Sequence, residues 1–114
     1  MSYRYLGKSG LRISPLTLGT MMFGNQTDEA QAHRIIHDAR EQGINSIDTA
    51  DVYNGGESER VVARALADSR DSWVLATKLA NPAGDGPNER GISRKWIMQS
   101  VEASLKRLGT DYID

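Results

Sequence analysis

Apolar residues along this chain follow two alternating periods, and each change of period marks a boundary between predicted elements. Short apolar runs begin near residues 16, 44 and 73, which is typical of buried strands. Behind each run, apolar residues recur at intervals of three and four, the spacing that places side chains on one face of a helix. The pattern therefore predicts a series of strand-then-helix units with a parallel sheet.

The predicted helices have start and stop signals of their own. The segment Thr27-Asp28-Glu29 is a start signal for the first helical stretch, and Ser93 is predicted to cap the third. Gly43 and Gly109 follow these two stretches as stop signals. The predicted strands cover residues 16–20, 44–48 and 73–77, and a fourth begins at Asp111. The helical faces predicted to be buried are Ala32, Ile35, Ile36 and Ala39 in the first helix, Val61, Val62, Ala65 and Leu66 in the second, and Ile97, Val101, Leu105 and Leu108 in the third.

Residues 1–15 have a different pattern, because apolar and polar positions alternate there on both sides of a turn. Tyr3 and Tyr5 precede the glycine-bracketed segment 7–10, and Leu11 and Ile13 follow it. Alternation around such a turn predicts a β-hairpin. We therefore divide the chain into a hairpin at 1–15 and the first βα units at 16–114.

Two α/β folds fit this series, a doubly wound sheet and a (β/α)8 TIM barrel. The segment 19–24 after the first strand lacks the GxGxxG spacing of a dinucleotide-binding doubly wound fold. Asp48, Tyr53 and Lys78 instead gather at the C-terminal ends of strands, where barrel active sites lie. We therefore expect a TIM barrel of which this chain supplies the N-terminal hairpin, three βα units and the start of strand four. Because such a barrel needs roughly 250 residues, we also expect the chain to be truncated.

Three side chains of complementary chemistry follow the second and third predicted strands. Asp48 ends the second strand, Tyr53 lies in the loop after it, and Lys78 ends the third. Adjacent parallel strands lie about 4.8 Å apart, so the three side chains can meet at one rim of the sheet. A free phenol, with a pKa of about 10, is a poor acid at neutral pH, but a nearby ammonium stabilises its anion and a carboxylate keeps that ammonium charged. Such a set can protonate an alkoxide that forms from a carbonyl.

Together with the segments around them, these residues resemble those of the aldo-keto reductase family. The resemblance is strongest to the bacterial branch of that family that is similar to potassium-channel β subunits. The resemblance covers the whole chain. The matching segments are Tyr-Arg-Tyr-Leu-Gly-Lys-Ser-Gly-Leu at 3–11, Leu-Gly-Thr-Met at 18–21, Asp-Thr-Ala-Asp-Val-Tyr at 48–53, Gly-Gly-Glu-Ser-Glu at 55–59, Ala-Thr-Lys at 76–78 and Ser-Leu-Lys-Arg-Leu-Gly-Thr-Asp-Tyr-Ile-Asp at 104–114.

The resemblance implies a barrel closed at its base by the hairpin, and reduction of aldehydes or ketones with hydride from NADPH. It makes Tyr53 the general acid, Lys78 the residue that tunes it and Asp48 the partner of Lys78. The family's catalytic histidine comes just after the strand that begins at Tyr112, so the resemblance implies that this chain alone is inactive. The cofactor-binding residues that it implies are Gly19, Thr20, Met21 and Asp48.

The composition excludes some classes of binding partner but does not identify the function. Lys plus Arg number 14 against 15 Asp plus Glu, and the basic residues are scattered, so nucleic acid is not an expected partner. No apolar run approaches the roughly 18 residues of a membrane span, and cysteine is absent, so we expect a cytoplasmic protein that contacts no membrane. His33 and His37 have the spacing of a helical zinc site, but Arg34 replaces the required glutamate, so no metal site is predicted.

Two other functions remain open at this point. A strand-end lysine beside a carboxylate also suits a barrel aldolase, in which Lys78 would form a Schiff base with a carbonyl substrate. A binding or regulatory module with a reductase-like fold and no turnover is the second alternative. Whatever its function, the chain alone would expose unpaired strand edges and an apolar sheet face, so we expect it to self-associate.

Overall fold

Three helices cover one side of a small parallel sheet, and a hairpin precedes them. This is a computed structural model, and it describes residues 1–114. Short 3₁₀ turns at Tyr53–Gly56 and Arg70–Ser72 supplement the main elements. In chain order these are β1 (Arg4–Tyr5), β2 (Arg12–Ile13), β3 (Leu18–Gly19), α1 (Glu29–Glu41), β4 (Ser46–Asp48), α2 (Glu57–Leu66), β5 (Val74–Ala76) and α3 (Arg94–Leu108).

The strands form two separate sheets. β1 and β2 pair antiparallel, which confirms the hairpin, whereas β3, β4 and β5 are adjacent and parallel in that order. Gly19, Asp48 and Ala76 are direct neighbours in the parallel register, so they form the row at the C-terminal edge of the sheet. The predicted α/β class and parallel order are therefore confirmed, and the register brings together the strand ends to which chemistry was assigned.

Helix boundaries follow the capping signals of the sequence. Asp28 accepts a hydrogen bond from the backbone N–H of Gln31 (2.8 Å), and Ser93 accepts one from that of Trp96 (3.1 Å). Each bond satisfies a donor that the first helical turn would otherwise leave free. Gly109 ends α3 with φ 60°, a left-handed backbone conformation that residues other than glycine seldom adopt.

The predicted buried face is correct for two helices and largely wrong for the third. In α1 and α2 the predicted residues are buried or pack on the core. In α3 the buried residues are Ser100, Ser104 and Leu108, while Ile97 and Val101 remain partly exposed. Two of the three buried positions are serines, so apolar character alone does not reveal this face. The core residues are Phe23, Ala32, Ile36, Ile47, Val61, Val62, Leu66, Trp73, Leu75 and Leu108.

The strands are shorter than predicted at both ends of the series. The first predicted strand begins two residues late, because the carbonyl of Leu16 accepts hydrogen bonds from the hydroxyls of Ser14 (2.6 Å) and Ser46 (3.3 Å) in place of ladder bonds. The fourth strand predicted at Asp111 is wrong for this structure, since residues 111–114 form no strand. Asp114 makes a single backbone bond to Leu75 (3.1 Å), whereas a ladder requires a repeating series of them.

One buried ion pair connects both later helices with the end of β5. Glu59 is fully buried, and its carboxylate accepts hydrogen bonds from Arg107 Nε (2.7 Å) and from the Thr77 hydroxyl (3.1 Å). A buried charge is tolerated only when it is paired and hydrogen-bonded. Glu59 therefore holds α2, α3 and the segment after β5 in one arrangement.

We predict that Arg107→Met destabilises the protein by about 3–5 kcal/mol, because it leaves the Glu59 charge buried without a partner. Arg64→Met is the matched control: it removes an exposed guanidinium that pairs with Glu29 and Glu57. Pairs of that kind contribute about 1 kcal/mol or less. Urea denaturation measures the free energy of unfolding of both variants. Equal decreases in the two variants would contradict the structural role of the buried pair.

Candidate active site

The three side chains singled out for chemistry lie together at the C-terminal edge of the parallel sheet. Lys78 Nζ donates to Asp48 Oδ2 (2.6 Å) and to the backbone carbonyl of Thr49 (2.8 Å). The same nitrogen lies 5.0 Å from the centroid of the Tyr53 ring. A carboxylate, an ammonium and a phenol therefore share one rim, as the spacing of Asp48, Tyr53 and Lys78 predicts.

The surroundings of Lys78 keep its amine charged. Partial burial lowers the pKa of this group, but hydrogen bonding and charge from Asp48 and from the Tyr53 phenol outweigh that effect, and the net pKa is raised above 10.5. A lysine acts as a nucleophile only in its neutral form, which a lowered pKa would favour. The site therefore presents a cation at neutral pH and disfavours a Schiff-base role for Lys78.

A neighbouring residue that the sequence reasoning missed holds the loop of Tyr53 in place. Asn54 adopts a left-handed conformation (φ 51°, ψ 44°), and its Nδ2 donates to the backbone carbonyls of Met21 (3.1 Å) and Phe23 (2.8 Å). These bonds connect the loop after β4 to the loop after β3. The Asn-Gly-Gly run at 54–56 was the available signal, since Asn and Gly tolerate this backbone region.

The residues assigned to the cofactor have different environments. Gly19 lies beside Asp48 in the register, and a Cβ atom built on it would meet no atom within 4 Å. Met21 is exposed, whereas Thr20 is buried and its hydroxyl bonds to the Asp48 carbonyl (3.0 Å) and to the Ser58 hydroxyl (3.0 Å). Thr20 is therefore occupied inside the protein, since its backbone carbonyl also accepts hydrogen bonds from the Ser58 hydroxyl (2.8 Å) and from the Phe23 N–H (3.0 Å).

The two histidines lie away from this edge. Both are on α1, where the ring of His33 contacts the Val61 carbonyl (3.3 Å) and that of His37 lies beside Asp38 (3.5 Å). None of the helices combines the length and apolar character required to cross a bilayer.

Comparison with known proteins identifies the family to which this chain is similar. The model of the aldo/keto reductase family matches residues 15–114. A probable voltage-gated potassium channel subunit beta of Arabidopsis thaliana is 42% identical, and an uncharacterized oxidoreductase of Bacillus subtilis (strain 168) is 46% identical, each over 100% of this chain. The holo form of an aldo-keto reductase from Bacillus halodurans is 44% identical and superposes with a TM-score of 0.89, also over 100% of the chain.

The chain belongs to the aldo/keto reductase family. It spans 36% of the length of the Arabidopsis relative and 38% of the lengths of the two Bacillus proteins. The family resemblance stated from the motifs is therefore confirmed, and the parallel strands correspond to part of an aldo-keto reductase fold.

We predict that Asn54→Ala lowers the free energy of unfolding by about 2–3 kcal/mol. Two hydrogen bonds contribute about 1 kcal/mol each, and a left-handed alanine adds about 1 kcal/mol of strain. Asn54→Gly is the matched control, because it removes the same bonds without the strain and should cost less. Urea denaturation of both variants measures the difference; an alanine variant as stable as the wild type would contradict a structural role for Asn54.

Proposed function

We propose that this chain forms the catalytic edge of an NADPH-dependent reductase of aldehydes or ketones. The observation that carries the proposal is the Lys78–Asp48 pair with the Tyr53 ring beside it, in a chain of the aldo/keto reductase family. In this proposal the three parallel strands are part of a (β/α)8 barrel, closed at its base by the hairpin. The protein works in the cytoplasm on small-molecule carbonyl compounds.

The proposed mechanism assigns a separate task to each side chain. The Tyr53 hydroxyl donates its proton to the oxygen of the carbonyl as negative charge develops there. Lys78 stabilises the phenolate that remains, because its ammonium lies beside the ring. Asp48 accepts a hydrogen bond from Lys78 and so fixes the ammonium in position. Bound NADPH would supply the hydride that reduces the carbonyl carbon.

The residues at the rim fit the nicotinamide end of that cofactor. A flat ring needs an open surface beside the proton donor, and the space over Gly19 next to Asp48 is open. A groove of about 420 Å³ with Gly19, Asp48, Ile47 and Val74 in its lining continues along the same sheet face. Gly19, Thr20, Met21 and Asp48 are the residues that we propose for the nicotinamide region, with Thr20 buried behind the other three.

A non-catalytic binding role is the second candidate function. It is favoured by one observation, the 42% identity to a plant protein named as a probable potassium channel subunit beta. The charged rim argues for turnover, since a docking surface alone has no need for an ammonium held between a carboxylate and a phenol. Turnover of NADPH by the complete polypeptide that carries residues 1–114 distinguishes the two functions.

We predict that Tyr53→Phe lowers kcat for an aromatic aldehyde by about 10²–10⁴-fold while the affinity for NADPH changes little. The phenol acts at proton transfer, and general acid catalysis contributes this range. The assay uses the complete polypeptide, or a chimera of residues 1–114 with the remainder of the Bacillus halodurans reductase. Tyr5→Phe on the exposed hairpin is the matched control. Near-normal turnover in Tyr53→Phe would remove this residue from the mechanism.

We further predict that residues 1–114 alone are inactive, bind NADPH weakly and self-associate. β3 and β5 are the edge strands of the parallel sheet, and the groove on its face is lined mainly by apolar side chains. Exposed edges and apolar surface favour association with other copies. Sedimentation and NADPH titration measure both properties, and a compact monomer that binds NADPH with micromolar affinity would contradict the prediction.

A further inference from the structure

The loop that carries Tyr53 contains the pair Asn54-Gly55, and Asn54 is the one asparagine of this chain that a glycine follows. In such a pair the backbone nitrogen of the glycine can attack the side-chain carbonyl carbon of the asparagine, because glycine has no Cβ atom to shield that nitrogen. Gly55 is exposed, and a Cβ atom built on it would meet no atom within 4 Å. The pair therefore has the chemistry and the access of a deamidation site.

Deamidation at this pair needs no reagent other than water. The backbone nitrogen of Gly55 forms a bond to Cγ of Asn54, the bond from Cγ to Nδ2 breaks, and the proton of the Gly55 amide leaves with Nδ2 as ammonia. Water then adds to either carbonyl of the resulting succinimide ring and opens it to aspartate or isoaspartate. The product has a carboxylate in place of the amide, and in isoaspartate the backbone also runs through the former side chain.

The closed loop engages both of the groups that must react. Nδ2 of Asn54, the nitrogen that leaves, donates to the backbone carbonyls of Met21 (3.1 Å) and Phe23 (2.8 Å). The N–H of Gly55, which must lose its proton, donates to the Val52 carbonyl (3.2 Å). The reaction therefore requires a local opening of the loop in which these hydrogen bonds are absent.

The carboxylate that forms cannot restore these contacts. The asparagine amide has two N–H donors, whereas an ionised carboxylate can only accept. After deamidation the carbonyl oxygens of Met21 and Phe23 would face a carboxylate oxygen instead of a donor, and oxygen atoms of like partial charge repel one another. The left-handed backbone at position 54, which the side-chain bonds stabilise in the intact protein, then loses that support.

We propose that Asn54 is a deamidation site that the closed loop protects, and that its modification leaves the loop open. Each modified molecule loses the connection between the loops after β3 and β4, which only the Asn54 amide group provides through these two bonds. Tyr53 directly precedes Asn54, so modification also displaces the proposed general acid, a consequence that rests on the proposed reductase function.

The test measures deamidation at each asparagine by peptide mapping with mass spectrometry, after incubation of the complete polypeptide at mildly alkaline pH. Ser9→Asn supplies the matched reference, since it creates a second Asn-Gly pair in the exposed hairpin turn, where the N–H of Gly10 donates to no other group of the protein. In the native protein we expect Asn54 to react at least about tenfold more slowly than the reference, because its hydrogen bonds must break first. In urea the two pairs should react at similar rates.

The effect of the modification on the loop is measured with Asn54→Asp. This variant is expected to lose protection from amide hydrogen exchange at residues 52–56, whereas Asn88→Asp, a matched change in an exposed loop, should not affect exchange there.

Three results would overturn the proposal. Equal rates at the two pairs in the native protein would show that the loop does not protect Asn54. A difference that persists in urea would show that the neighbouring sequence sets the rate. Exchange in Asn54→Asp equal to that of the wild type would show that the loop closes without the amide. Because none of these measurements uses turnover, failure of the reductase proposal leaves the result readable.

Discussion

The arrangement of this protein depends on one carboxylate that water does not reach. Glu59 projects from α2 and accepts hydrogen bonds from Arg107 on α3 and from Thr77 just after β5. Because Thr77 directly precedes Lys78, the same contact fixes where the proposed active-site lysine leaves the sheet. A buried ion pair is often no more stabilising than apolar packing of the same volume, but it is costly to break. Glu59 therefore fixes the positions of α2, α3 and the segment after β5 relative to one another.

A set of polar contacts behind the rim continues this restraint towards the surface. Ser58, the residue before Glu59, donates its hydroxyl to the Thr20 carbonyl (2.8 Å) and contacts the Thr49 hydroxyl (3.1 Å). Asn54 then connects the two loops above, at the cost of a left-handed backbone that its side-chain bonds offset. Directed hydrogen bonds therefore help to hold the loops that follow β3 and β4.

Much of this architecture could be predicted from the sequence because it depends on period and spacing. Helical period gave the buried faces of α1 and α2, and strand ends brought Asp48 and Lys78 to one edge. The α3 face could not be predicted in this way, since two of its three buried residues are Ser100 and Ser104, which a search for apolar positions passes over. Nor could the role of Asn54, because its two acceptors are distant carbonyls that only the folded chain brings within reach.

Two ion pairs of nearly equal length have different physical consequences in this structure. Lys78 Nζ lies 2.6 Å from Asp48 Oδ2, and Arg107 Nε lies 2.7 Å from Glu59 Oε1. The side chains of Lys78 and Asp48 are 47% and 38% exposed, so water screens their attraction and the pair contributes about 1 kcal/mol or less to stability. The Glu59 side chain is 0% exposed, so loss of Arg107 would leave the Glu59 charge buried without a partner. Burial, not distance, therefore decides which ion pair holds the fold.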